Sequence, residues 1–263
     1  MAVSETVVSG PEVLRLLGDE QRWRLLSELA QSDLRVGELV DRLGRPQNLV
    51  SYHLAELRRV GLVSSRRSSA DGRDTYYRFE VGRCGELLRA AGAALTPAIQ
   101  LRTHHFEPAP TRRGRRPSVL FLCTGNSARS QMAEALLEHL SAGAMRARSA
   151  GSHPKPLHPN AVRVMAERGI DISGNTTKHL DRFAQTRFDR VITVCDKVRE
   201  ICPELPGAPV AAHWSMPDPS AAGDTDDASY LAFVQTADEL EIRIQLLLTE
   251  LSVAPPKEVT RAV

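Results

Sequence analysis

The sequence predicts two domains, a small mostly helical one that ends in a β-hairpin and an α/β one built on a parallel four-stranded sheet. Short amphipathic helical patterns occupy residues 1–102 and give way to an alternating segment. After residue 117, apolar β-like runs alternate with amphipathic helices, the order that a parallel sheet requires. Between them lies THHFEPAPTRRGRRP, residues 103–117, with three prolines, four arginines and no apolar period, which reads as a linker. The predicted boundaries are therefore 1–102, 103–117 and 118–263.

A chain of 263 residues is near the size at which single cores divide. Its net charge of +2 hides an asymmetry. Residues 1–116 carry 19 arginines, no lysine and 14 acidic residues, a net +5; the remainder carries 15 basic and 18 acidic residues, a net −3. The two halves should thus face different partners, the basic one nucleic acid. No apolar run approaches the roughly 20 residues of a membrane span, and MAVSETVVSG lacks a secretory pattern, so a cytoplasmic location is expected. Cysteines at 84, 123, 195 and 202 suit neither a disulfide framework nor a zinc site, which leaves catalytic or redox thiols and no bound metal.

In the first half, Asp19 can cap a helix through Leu29, with Trp23, Leu25, Leu26 and Leu29 on or near one face. A second helix, Gly37–Leu43, buries Leu39, Val40 and Leu43. A third follows the Gly44–Pro46 turn over Gln47–Val60. Its Val50, Leu54 and Leu57 face inward, while Gln47, Asn48, Ser51, Tyr52 and His53 stay outside as a polar face suited to base edges. Gly61 stops this helix, and Leu62–Arg67 pairs with Thr75–Phe79 across a loop holding Asp71-Gly72. The result is a helix-turn-helix with a β-wing.

Residues 10–80, above all QNLVSYHLAELRRVGLV and the wing ending TYYRF, resemble the ArsR-type family of winged helix-turn-helix repressors. The resemblance implies a homodimer on double-stranded DNA, with each Gln47–Val60 helix in a major groove. Arg66, Arg67 and Arg73 of the wing would lie on phosphates or in the minor groove, and Arg83–Leu101 would dimerise. Members that sense arsenite carry Cys-Val-Cys where this chain reads Arg35-Val36-Gly37, so that thiolate site is absent. Cys84 reads as a small buried hydrophobe, and His104 and His105 as solvated linker residues. A winged fold could also serve only dimerisation or protein docking; the basic charge favours DNA.

In the second half, the buried strand Ser118–Leu122 runs into Cys123-Thr124-Gly125-Asn126-Ser127-Ala128-Arg129-Ser130 and then the helix QMAEALLEHL. A cysteine at a strand end, followed by such a loop, an arginine and a helix N-terminus, builds an oxyanion cradle. Loop N–H groups and the helix dipole converge there and favour the Cys123 thiolate. Gly125 and Asn126 tolerate the unusual backbone angles such a loop needs. Arg129 offers a planar fork to two oxygens, and Ser130 can donate to the sulfur.

This pattern resembles the low-molecular-weight tyrosine phosphatase fold, including the arsenate reductases built on it, over nearly all of residues 117–250. It implies Cys123 as nucleophile and Asp218, in the Asp218-Pro219 of HWSMPDPSAAG, as general acid. The segment VITVCDKVREICPELPG resembles the reductases that carry two further redox cysteines, here Cys195 and Cys202. Seven positions apart on a helix is about 10.5 Å, beyond the roughly 4.4–6.8 Å Cα separation of a disulfide, so joining them requires unwinding, which Pro203 eases.

The resemblance then implies arsenate as substrate and a relay without a bound cofactor. Cys123 attacks arsenate, Cys195 attacks Cys123 as arsenite departs, Cys202 attacks Cys195, and thioredoxin reduces the final disulfide. Only four of the 34 basic residues are lysine, as in GC-rich genomes where mycothiol is another donor. Reductases adapted to mycothiol lack the two extra cysteines, so thioredoxin is expected. Members that bind potassium use residues matching Asn126, Glu134 and Ser149 with an Asp that is Lys178 here; an ammonium there would replace the cation's charge and hydrogen-bond Asn126 and Glu134, and no potassium dependence is expected. Two other readings of the loop stay open, a phosphomonoester hydrolase and a regulatory protein that only senses oxyanions or redox state.

Overall fold

The computed structural model describes residues 9–70, 72–99, 116–201, 211–223 and 225–252. The chain divides into two compact units, Met1–Thr103 with Ala212–Ser215 and His104–Ala211 with Met216–Val263. No described helix is long and apolar enough to cross a membrane.

The first unit opens with α1 (Gly10–Leu17) and α2 (Glu20–Gln31), the latter capped by the Asp19 carboxylate, which accepts the Arg22 N–H at 2.9 Å. The short β1 (Leu34–Arg35) leads into α3 (Val36–Leu43), and Gly44, at φ 61°, turns the chain toward α4 (Gln47–Arg59). The wing is β2 (Val63–Arg67) and β3 (Thr75–Phe79), the expected hairpin, paired antiparallel with Val63 opposite Phe79, and β1 completes a sheet of order β1-β3-β2. Val13, Leu25, Leu29, Leu39, Leu54 and Leu57 meet in its core. α5 (Val81–Leu95) packs on α1 and buries Cys84 as a small hydrophobe; the helix expected over Arg83–Leu101 covers Val81–Leu95, and Leu101 lies outside the described residues.

Two side chains in this unit differ from expectation. Trp23 is 60% exposed: two positions before Leu25, it lies about 200° around the helix from the buried stripe. His53 is buried instead of facing outward, because it sits three residues after Val50 and one before Leu54, within the stripe that α4 turns to the core. Its Nδ1 finds no hydrogen-bond partner among the described residues. Burial pushes the imidazole below the usual histidine range, against an opposing pull from the Asp19 carboxylate.

The second unit is built on β4 (Ser118–Cys123), buried at every residue as a central parallel strand covered on both faces must be. The helix α6 (Arg129–Leu140), two residues longer at its start than its apolar pattern suggested, leads to β5 (Arg146–Gly151) and α7 (Pro159–Glu167). Then come β6 (Arg190–Thr193), α8 (Asp196–Ile201) and the long α9 (Asp226–Ser252), which lies against α6 and α7; between α8 and α9 runs β7 (Ala211–His213), whose last two residues are counted with the first unit. The sheet order is β5-β4-β6-β7, with β5 and β6 both parallel to β4. Cys123 and Cys195 therefore emerge at the carboxyl ends of neighbouring strands, where open α/β sheets place their sites. Cys202, Pro203, His104 and His105 lie outside the described residues.

The buried His53 makes the first unit acid-sensitive. It takes up a proton less readily when folded than when unfolded, where protonation sets in below about pH 6.5, so stability present above that pH is lost as pH falls toward its lower folded value. Thermal unfolding followed as pH is lowered from about 7.5 to about 5 should show a falling midpoint for this unit, and His53→Leu should flatten that dependence.

Candidate functional site

The Cys123–Arg129 loop is shaped by its carbonyls. Those of Thr124, Gly125 and Ser127 accept the backbone N–H groups of His153, Lys155 and His158 at 2.8, 2.9 and 2.9 Å. Because C=O and N–H of one trans peptide point oppositely, the N–H groups of Gly125, Asn126 and Ala128 turn to the other side. That side holds the sulfur, for the Asn126 N–H donates to Cys123 Sγ at 3.1 Å. Ala128 offers α6 no side-chain cap, so the first N–H groups of that helix are not taken by one.

Asn126 adopts φ 47°, the left-handed region that asparagine tolerates, and is fully buried. Its amide donates to Ser130 Oγ at 2.9 Å and Ser149 Oγ at 2.8 Å. Its carbonyl accepts the Lys178 backbone N–H at 2.7 Å and Gln131 Nε2 at 3.2 Å. Since Ser130 Oγ accepts from Asn126, its own proton is available to Cys123 Sγ, 2.9 Å away. Two donors therefore meet at the sulfur, an arrangement suited to a thiolate nucleophile.

Arg129 is 6% exposed, and its Nη1 donates to the Met216 carbonyl at 3.0 Å. Its Nη2 lies 3.3 Å from Asp218 Oδ2. Asp218 caps the turn Pro219–Ala221, accepting from Ser220 Oγ at 2.9 Å, and stays half exposed at the mouth of the loop. Cys195 sits on the opposite flank, 2% exposed, with Sγ 3.4 Å from Thr124 Oγ1. Burial pushes its thiol up; the Arg129 guanidinium pulls it down and the nearby Cys123 pushes it further up. Both Cys123 and Cys195 are free thiols.

The sequence profile of the low molecular weight phosphotyrosine protein phosphatase family matches residues 118–257, and that of the bacterial regulatory protein arsR family matches residues 19–65. The chain belongs to the low molecular weight phosphotyrosine protein phosphatase family. Its second half is 38% identical over 127 residues to the arsenate reductase of Halalkalibacterium halodurans and 37% identical over 127 residues to that of Bacillus subtilis. Each alignment covers 48% of this chain and 91% of the relative. A solved arsenate reductase in the phosphate binding state is 32% identical, with a TM-score of 0.45, over 51% of this chain and 98% of its own.

Within this phosphatase-family domain, the structure brings together Cys123, the loop Thr124–Ala128, Arg129, Ser130, Asp218 and Cys195; Cys202 is outside the described residues. Around Asn126 the residues do not fit a potassium ion. Lys178 Nζ donates to Glu134 Oε2 at 3.0 Å, and Ser149 Oγ donates to the same oxygen, so an ammonium stands where a cation would be held. Among the described residues no cluster of three His, Cys, Asp or Glu side chains could hold a metal.

In the helix-turn-helix, part of which matches the arsR-family profile, Gln47, Asn48, Ser51 and Tyr52 form an exposed face of α4, and Arg67 and Arg73 are exposed on the wing. His53 leaves that set because it is buried, and Arg66 is half-buried with Nη1 donating to the Arg67 carbonyl at 3.0 Å. Where arsenite sensors carry thiols, Arg35 instead pairs with Asp74 at 2.6 Å and with Glu38 at 3.4 Å.

Sequence reasoning missed Gly151. A Cβ there would lie 2.6 Å from the Thr124 carbonyl oxygen and 2.8 Å from the Asn126 nitrogen, so only hydrogen lets β5 lie against the loop. A glycine closing a strand is a recognised sign of close backbone approach, though it does not say to what. Gly151→Ala should displace the loop at a cost of about 1–3 kcal/mol in stability. In a thermal-shift titration with inorganic phosphate, the wild-type chain should gain melting temperature and Gly151→Ala should not; an equal gain in both would contradict this role.

Proposed function

We propose that the chain reduces arsenate to arsenite through Cys123, Cys195 and Cys202, in a protein whose first half binds double-stranded DNA as a homodimer. The observation that carries this reading is the buried Cys195 thiol at the carboxyl end of the strand beside β4, on the flank of the Cys123 loop. Phosphate-ester hydrolysis needs only water as the second nucleophile, so a second thiol in that place points to redox chemistry. The relatives named arsenate reductase support the same assignment.

In the proposed reaction the loop N–H groups and Arg129 hold the arsenate oxygens. Cys123 Sγ attacks arsenic, and an arsenate oxygen leaves as water after taking a proton from Asp218. Cys195 Sγ then attacks Cys123 Sγ; the sulfur–arsenic bond breaks, its electron pair stays on arsenic, and arsenite departs. Two thiols have lost two electrons to form Cys123–Cys195, and As(V) has become As(III). Cys202 attacks Cys195 and releases Cys123 as thiolate. The remaining Cys195–Cys202 disulfide is reduced by an external dithiol, for which thioredoxin is the proposed donor.

Arsenate-dependent NADPH oxidation with thioredoxin and thioredoxin reductase tests this reading. Turnover should be lost in Cys123→Ser, Cys195→Ser and Cys202→Ser, and should fall by about 10²–10⁴-fold in Asp218→Asn. It should not differ between sodium and potassium salts. A wild-type chain that cleaves para-nitrophenyl phosphate without arsenate-dependent turnover would make it a phosphatase instead. Absence of both activities, with arsenate altering DNA affinity, would make it a sensor.

A further inference from the structure

At the amino-terminal edge of the second unit's sheet, a cavity of about 410 Å³ is ringed by Arg116, Arg146, Arg148 and Arg187, with Phe183 and Phe188 in its wall. Ser118 and Arg146, which open β4 and β5, line it together with residues 186–188 just before β6. Cys123 closes β4 at the other end, roughly 16 Å away at about 3.3 Å per residue, so this is a place apart from the oxyanion loop.

Arg148 is occupied by Glu138 at 3.2 Å and the Ala147 carbonyl. Arg116, Arg146 and Arg187 are exposed, and their guanidinium groups have no hydrogen-bond or ion-pair partner among the described residues. The neighbouring Asp189 accepts from Ser118 N and Oγ, both at 2.8 Å. The two phenylalanines pack edge to face at 5.7 Å, giving the rim an apolar support. Three unpaired guanidinium groups around one concavity, on a half whose net charge is −3, form a local positive field that suits a ligand with several fixed negative charges. In sequence, Arg112, Arg113 and Arg115 lead directly into Arg116 along the segment that joins the basic half to this one.

We infer that this rim is a second contact for the phosphate backbone of double-stranded DNA, supplied by the phosphatase-family half. The inference rests on the proposed DNA binding of the first half. Guanidinium groups on phosphates add affinity without reading sequence, and each contact displaces condensed counterions, so the contact is visible in salt dependence.

The experiment is binding of the full-length chain to a random-sequence duplex of about 30 base pairs, followed by fluorescence anisotropy between about 50 and 200 mM salt. Arg146→Ala/Arg187→Ala should make the slope of log K against log salt shallower by about 1.8, at roughly 0.9 per phosphate contact, and Arg146→Lys/Arg187→Lys should keep the wild-type slope. Thiol-dependent turnover, whose residues lie at the other end of the sheet, should be unchanged in both. Wild-type binding with the same slope in the alanine variant would overturn this inference alone. An unchanged slope with lost affinity for polyglutamate would give the cavity to an acidic protein segment and overturn it too. No duplex binding by the wild-type chain would overturn both the inference and the reading of the first half.

Discussion

The side-chain amide of Asn126 is the constraint on which the chemical half depends. A carboxamide has two donors and room for two acceptor bonds, and all four are used, on Ser130, Ser149, Lys178 and Gln131. Those partners come from the helix after the loop, from β5 and from the segment before β6. One buried group thus ties the loop to three pieces of chain, and leaving any one of its atoms unpaired would cost about 1–3 kcal/mol. The left-handed backbone at Asn126 aims its N–H at the sulfur, and the Asn126 amide leaves Ser130 free to donate its proton to the same atom.

The parallel sheet adds the second thiol. Leu122 pairs with Thr193, and the Val194 N–H donates to the Leu122 carbonyl at 2.8 Å, so β4 and β6 deliver Cys123 and Cys195 to one edge. Strands about 4.8 Å apart bring their ends close without further design. The two sulfurs are then distinguished by their surroundings. Cys123 accepts two hydrogen bonds, whereas Cys195 is enclosed and its thiol is pushed up by burial. In the proposed relay the second step then depends on ionising a thiol that burial holds up.

The fold and most of the loop could be read from the residues because their signals are local. Cys123, Arg129 and Ser130 lie within one strand–loop–helix stretch, and the two wing strands show as alternating runs on either side of a turn signal. What was not legible depends on rotation or on distant packing. His53 and Trp23 were misplaced because a polar or aromatic side chain near a helical stripe can fall on either side of it by one residue. Gly151 was missed because its importance comes from the Thr124 carbonyl, 27 positions earlier in the sequence, pressing on its Cα. Lys178 in place of a carboxylate was read from resemblance, with its ammonium expected on both Asn126 and Glu134; the ammonium sits on Glu134 alone of the two, and Asn126 is reached by the Lys178 backbone instead.

The central claim is that the electrons for arsenate come from Cys123 and Cys195 in succession, and a trapped intermediate tests it most directly. With Cys202→Ser, one turnover with arsenate followed by alkylation, non-reducing digestion and mass spectrometry should show a Cys123–Cys195 disulfide and one equivalent of arsenite. The rate of its formation should keep rising with pH beyond about 8.5, the ordinary thiol value, because burial holds Cys195 protonated below that range. Arsenite released with Cys195 still alkylatable, or no disulfide at any pH, would contradict the account.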